Sequence, residues 1–147
     1  MSSFIPSDTK SILDLGCSEM WLKQCIDNDI AYTGVDIDPL DKSVVRIDFN
    51  RYEFSDTYVD TIFISGVLEY IYDLNWFCQQ CNHYGKYIIL SYCPLEIVSN
   101  IKTRRSNAWV NNLSSHELID LLEQYNFKLL DESQFGEQKI YVLKRKT

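Results

Sequence analysis

The sequence predicts an α/β fold, a single doubly wound and mainly parallel sheet, from three observations. SILDLGCSEM (Ser11–Met20) and GVDIDP (Gly34–Pro39) each read as a buried strand that runs into a glycine or acidic turn, with Asp36 twenty residues after Gly16. DTIFIS (Asp60–Ser65) and KYIILSY (Lys86–Tyr92) are almost continuously apolar, as strands are when both faces of a sheet are covered. Segments of helical spacing stand between the strands. A chain of 147 residues with no internal repeat or linker reads as one domain, residues 1–147.

Taken in order, Ser11–Leu15 is the first strand. A helix is expected over Glu19–Asn28, where Trp21, Leu22, Cys25 and Ile26 share one face. Ala31–Asp36 is the second strand, Ser43–Asp48 (SVVRID) the third and Asp60–Ser65 the fourth. Asp73–Tyr84 reads as a helix with Leu74, Phe77, Cys78 and Cys81 inward, and Lys86–Tyr92 as the fifth strand. Ser114–Tyr125 carries the strongest helix signal. Ser114 and Glu117 form a capping box, and Leu118, Leu121 and Leu122 line its apolar side. Phe127–Asp131 and Lys139–Lys144 are the last two strands, and Gly136 between them suits an antiparallel hairpin.

One gap is short. Ile37–Lys42 separates strands two and three, whereas parallel neighbours normally need a crossover of about a dozen residues or more. No helix fits there, and Phe49–Val59 is also turn-rich. One face beside strands two and three is therefore expected to be thinly covered. Homo-oligomerisation through that side, with Trp21, Tyr32 and Tyr52 as aromatic surface, is a further expectation.

Composition narrows the function. A net charge of −7 provides no excess of Lys and Arg to displace counterions, so no nucleic-acid partner is expected. The basic end Lys144–Lys146 reads as a solvated tail. No membrane span and no signal peptide are visible, so a cytoplasmic protein is expected. The five cysteines follow no disulfide framework. Cys78 and Cys81 form a CxxC inside a helical pattern without a second ligand pair, so buried thiols are expected and no metal.

The two opening segments point to a ligand site at the carboxyl ends of the strands. Gly16 lets backbone N–H groups approach a ligand. Asp36 can accept from two ribose hydroxyls, and Asp48 from an exocyclic amine such as adenine N6. Ser65 and Gly66 form a floor of small residues. The turn has one glycine rather than three, and Glu19 would repel a pyrophosphate. A phosphate-free nucleoside with cationic groups fits better than a dinucleotide.

With these motifs the chain resembles the class I S-adenosylmethionine-dependent methyltransferases, in particular their compact type 11/12-like members. LDLGCSEM is similar to the first motif, GVDIDP to the second, RIDFN to the third and DTIFISGVLEYI to the fourth-strand segment. WVNNLSSHELIDLLEQYNFKLL resembles the region before the sixth strand. The resemblance implies a Rossmann-like sheet of about seven strands in the order 3-2-1-4-5-7-6, the last antiparallel, here without the helix between strands 2 and 3. It implies S-adenosyl-L-methionine as cofactor. It places Asp14, Gly16, Cys17 and Ser18 in the first turn, Asp36 and Ile37 around ribose and adenine, Asp48 and Phe49 at the adenine edge and face, and Ser65 and Gly66 near the methionine portion. The implied activity is methyl transfer to an oxygen or nitrogen of a small-molecule or carrier-linked acceptor, with a glycan-pathway compound among the candidates. The alternative is a catalytically degenerate binding or scaffold subunit, motivated by Ser18 at the second motif glycine and by the thin sheet face. For Asp14, Asp36 and Asp48 a plain turn-stabilising role stands beside the ligand role.

No catalytic residue is singled out, because methyl transfer needs alignment more than a base. Glu69, Tyr70, Tyr92, Glu96 and His116 are the candidates should the acceptor have to lose a proton. Glu69 and His116 read more readily as turn-ordering and helix residues. Arg104, Arg105 and Trp109 sit in the long connection after strand five, which reads either as an acceptor-binding loop or as a solvated basic loop with Trp109 packed on the core.

Overall fold

A computed structural model describes residues 1–147. Seven strands form one sheet: β1 (Ser11–Leu15), β2 (Ala31–Asp36), β3 (Val45–Arg46), β4 (Val59–Ile64), β5 (Gly85–Tyr92), β6 (Phe127–Phe135) and β7 (Gln138–Arg145). Their order is β3-β2-β1-β4-β5-β7-β6. β1 to β5 pair in parallel, and β7 runs antiparallel to both β5 and β6. The expected order and the antiparallel final strand are both present. Three α-helices complete the fold: α1 (Leu74–Tyr84), α2 (Ile101–Ser106) and α3 (Ser115–Gln124).

The two faces of the sheet are unequal. Leu13, Leu15, Ile62, Ile64, Ile88 and Leu90 point to one face and meet Phe77, Cys78 and Cys81 of α1 and Leu118 and Leu122 of α3, in a core of 22 buried residues. The other face has a core of only six: Ile12, Leu22, Phe63, Ile89, Ile140 and Val142. No helix covers it. Met1, Phe4, Ile5, Ile26 and Ile30 lie across it instead.

The helices that form have their local signals. Asp73 caps α1 by accepting from the Trp76 N–H at 3.0 Å. Ser114 and Glu117 make the expected reciprocal capping box on α3. The β6–β7 hairpin turns at Gly136, whose φ of +60° suits glycine in a two-residue loop. All five cysteines are free. No helix is long and apolar enough to cross a membrane.

Several expectations are corrected. The helix expected over Glu19–Asn28 is absent: the segment holds turns and one 3-10 turn, Leu22–Gln24. Ser18 and Met20 adopt positive φ (46° and 56°), which breaks a helix at its start, and Asp27–Asp29 favours turns at its end. The missing cover therefore extends beyond the β2–β3 connection to the β1–β2 connection. β3 is two residues, shorter than Ser43–Asp48, because Asp48 leaves the strand to cap a 3-10 turn over Phe49–Arg51. β6 and β7 are longer than expected, and a bulge lies at Leu129–Asp131. α2 is an addition to the expected elements. It occupies the segment that reads as a loop, and its Arg104 is fully buried.

Arg104 is a tie between three loops. Its guanidinium donates to the carbonyls of Cys93 (2.9 Å), Val98 (3.3 Å) and Asn111 (3.2 Å), to Asn112 Oδ1 (2.7 Å) and to the Tyr92 hydroxyl (3.2 Å). Trp109 stacks over it, with 4.9 Å between Cζ and the ring centroid. These bonds consume its donors, so Arg104 braces the fold and is not an acceptor-binding side chain.

Candidate ligand site at the strand ends

The turn after β1 is built by two clips. The Gly16 and Cys17 N–H groups both donate to the Val35 carbonyl, at 2.8 and 3.1 Å. Asp36, at the tip of β2, accepts from the Ser18 N–H on Oδ2 (2.9 Å) and from the Asp38 N–H on Oδ1 (3.0 Å). Each carboxylate oxygen keeps a further lone-pair position for a ligand hydroxyl. Ser18 takes the left-handed conformation that a glycine would take there, at a cost of about 1 kcal/mol that the bond to Asp36 offsets. Gly16 is required twice: its φ is +72°, and a Cβ there would lie 2.3 Å from Val67 Cγ2. Gly34 is required by the turn itself, because its Cβ would meet Cys17 Sγ at 2.8 Å.

A cavity of about 400 Å³ opens beside this turn on the thin face. Asp14, Gly16, Cys17, Ser18 and Ser65, all singled out in the sequence, line it together with Met1, Trp21, Leu22 and Phe63. Asp14 is 4% exposed and accepts from the Tyr32 hydroxyl at 2.6 Å. Burial raises its pKa from 3.8 to about 6; the Tyr32 bond opposes the rise and the Asp36 charge adds to it. Its other oxygen receives no protein donor. A buried carboxylate with one free oxygen in a cavity is a receptor for a cation. Burial also pushes the Cys17 thiol up to about 11, so it remains a thiol at neutral pH. The sequence marks Tyr32 only as surface; its place beside Asp14 emerges from the register that pairs Ile12 with Tyr32 and Asp14 with Gly34.

A second cavity of about 500 Å³ adjoins the first through Met1 and Ser65 and includes Gly66. Ile37 and Asp48 lie in a third hollow, on the far side of the β2 tip, with Arg46, Arg51 and Glu53. Asp48 is engaged there as a cap, accepting from the Asn50 N–H at 3.0 Å, with Arg51 at 3.8 Å. Phe49 is corrected as an adenine-stacking face: its ring is buried in the larger core against Phe54 and Phe77. Eight of the ten sequence-chosen residues thus line three hollows; Asp36 lines none of them but joins the first turn to the β2 tip, and Phe49 lies in the core.

None of the candidate bases lines the first or second cavity. Glu69 is buried and holds the Cys93 N–H at 2.9 Å; burial raises its pKa. Tyr92 is buried in the Arg104 network. Glu96 is bound to the N–H and hydroxyl of Ser115. The His116 side chain is exposed and faces Asp120. Tyr70 lies in the 3-10 turn after β4, its carbonyl bonded to Asn50.

No protein-family model matches the sequence, and no curated protein matches it. Solved structures do match. A Mesorhizobium loti S-adenosylmethionine-dependent methyltransferase superposes with a TM-score of 0.77 at 13% identity, over 97% of this chain and 94% of the other. A Haloferax volcanii methyltransferase, solved in complex with the Trm112 activator, superposes with a TM-score of 0.76 at 11% identity, over 94% and 83%. The O-methyltransferase NcsB1 of neocarzinostatin biosynthesis, solved with S-adenosylmethionine and a naphthoic acid, gives 0.71 at 13% over 92% and 49%. The architecture is that of the doubly wound α/β proteins. Within that class, the chain has the class I S-adenosylmethionine-dependent methyltransferase fold.

Proposed function

We propose that this protein binds S-adenosyl-L-methionine and transfers its methyl group to an oxygen or nitrogen of a small-molecule or carrier-linked acceptor. The observation that carries the reading is the clipped turn: Ser18 N–H on Asp36, beside a cavity in which buried Asp14 has a free oxygen. Asp14 and the Gly16–Ser18 turn face the cationic amino-acid end, and Asp36 accepts from the ribose. Ile37 and Asp48 take the adenine edge, and Ser65 and Gly66 lie under the methionine portion. When bound, S-adenosyl-L-methionine would supply an activated methyl group to the acceptor's lone pair, with the sulfur as leaving group. This chain's residues contribute alignment, worth several kcal/mol of the barrier when geometry is good.

Calorimetry with S-adenosylmethionine and S-adenosylhomocysteine tests the reading. Binding in the micromolar range that Asp36→Ala weakens at least tenfold is expected; absence of binding at millimolar ligand refutes it. The missing β1–β2 helix favours a second reading, a binding or scaffold subunit on the same fold. Under it, cellular function survives Asp36→Ala unchanged. Five free cysteines support a reducing, cytoplasmic location.

A further inference from the structure

Asp14 is a buried carboxylate without a counter-ion. No Lys, Arg, His or N-terminal nitrogen lies within 4.0 Å of it, and Asp36 adds a like charge. Its one protein donor is the Tyr32 hydroxyl, at 2.6 Å from Oδ2. Two residues of β2 build this contact. The β1–β2 register pairs Ile12 with Tyr32 and Asp14 with Gly34. Residues two apart on a strand share a face, so all four stand on the thin side of the sheet. The Tyr32 ring runs along its own strand, across Gly34, to the carboxylate two residues ahead on β1. A Cβ at Gly34 would lie 3.3 Å from both Cε1 and the hydroxyl oxygen of that ring. Glycine leaves the ring its path, as it does where another group must pass close to a strand.

Burial, and then the Asp14 bond, push the Tyr32 hydroxyl well above the ordinary tyrosine value, so it donates throughout the neutral range. The other titratable groups around the pair are Cys17 and Cys25 on the cavity wall, Asp36 at the β2 tip, Met1 across the cavity, and Lys23, whose Nζ is 5.8 Å from the Tyr32 ring centroid. On the β4 side the neighbours are Phe63 and Ser65, which carry no charge. We propose that Tyr32 is a positioning residue for the cationic amino-acid end of the cofactor: its hydroxyl fixes Asp14 Oδ2 and leaves Oδ1 as the acceptor on the cavity side, with Gly34 as the gap the ring crosses. The arrangement makes the hold on an ammonium depend on pH. As pH falls through about 6, Asp14 takes up a proton and its attraction for a cation is lost. The Tyr32 bond opposes that proton, so removing the hydroxyl moves the loss to higher pH. The inference rests on the methyltransferase reading.

The test is calorimetry of the whole chain with two probes. S-Adenosylhomocysteine carries the α-ammonium; 5′-methylthioadenosine has the same nucleoside and a thioether but no amino-acid end. Tyr32→Phe keeps the ring and removes the hydroxyl. It is expected to weaken S-adenosylhomocysteine about tenfold at about pH 6.5, with the gap narrowing above about pH 8. Binding of 5′-methylthioadenosine should stay within about twofold. In an Asp14→Asn background, Tyr32→Phe should change the affinity for neither probe, because the pair acts as a unit. Equal weakening of both probes, a gap that does not change with pH, or an undiminished effect in the Asp14→Asn background overturns the proposal, since each makes Tyr32 a packing residue only. A wild-type chain that binds S-adenosylhomocysteine and is unchanged by Tyr32→Phe loses this proposal alone. One that binds neither probe loses the methyltransferase reading and this proposal with it.

Discussion

Replacing Asp14 by asparagine should stabilise the protein at neutral pH while weakening any cation bound in the first cavity. Asp14 is 4% exposed, and its pKa rises from 3.8 to about 6. A rise of that size corresponds to about 3 kcal/mol. The sign follows from proton binding. Between pH 4 and 6 the unfolded chain has lost this proton and the folded chain still holds it, so stability falls as pH rises through that window and is level above it. The amide oxygen introduced by Asp14→Asn would still accept from the Tyr32 hydroxyl, and the amide carries no charge to desolvate. Wild type and Asp14→Asn should therefore melt together at pH 4 and diverge up to pH 6. Above that, the variant should melt about 6–12 °C higher, at about 2–4 °C per kcal/mol for a domain of this size. Thermal unfolding followed by circular dichroism across pH 4–8 measures the gap. Tyr32→Phe, which removes the donor that holds the carboxylate charged, should widen the pH window upwards. A gap of constant size across the range would show that Asp14 is not the titrating group and refute the reasoning.

Gly16→Ala should cost about 2–4 kcal/mol, from the positive φ and the Val67 overlap, and Val67→Ala should recover part of it in denaturant titration. Arg104→Met should cost more than about 3 kcal/mol, because it strands the carbonyls of Cys93, Val98 and Asn111; a loss under about 1 kcal/mol in urea unfolding would contradict the brace. Self-association through the β3 edge would use Val45, which is 50% exposed. Sedimentation should then show a concentration-dependent dimer that Val45→Lys removes, and a monomer throughout would count against it.

The sheet was legible because its central strands are long apolar runs that nothing else in a chain of this size explains. Ile62–Ile64 and Ile88–Leu90 are buried on both faces. The segment after β1 misleads because Trp21, Leu22, Cys25 and Ile26 have helical spacing, yet Leu22 packs inward from a 3-10 turn while Trp21 is 65% exposed. Periodicity does not reveal that Ser18 and Met20 take positive φ. Arg104 reads as a loop cation because arginine is seldom buried, and its five acceptors come from residues scattered between Tyr92 and Asn112. In the site, the positions of Gly16 and Asp36 follow from spacing, and Asp14 enters through the family resemblance. The role of Tyr32 required the β1–β2 register, and Phe49 turned inward because Asp48 caps the turn that carries it.

The unequal cores give the molecule two different opening energies. The amides of β4 and β5 are expected to exchange with solvent only when the 22-residue core is lost, whereas Met1–Ile5 and Cys17–Ile30 are held by the six-residue core and by turn bonds. Residues of both segments line the first cavity, and Met1 and Phe4 of the first segment line the second. A ligand that enters must therefore order the wall it binds, and part of its intrinsic affinity is spent on that ordering. Hydrogen exchange would register occupancy as slowed exchange in Cys17–Ile30, with β4 and β5 hardly changed.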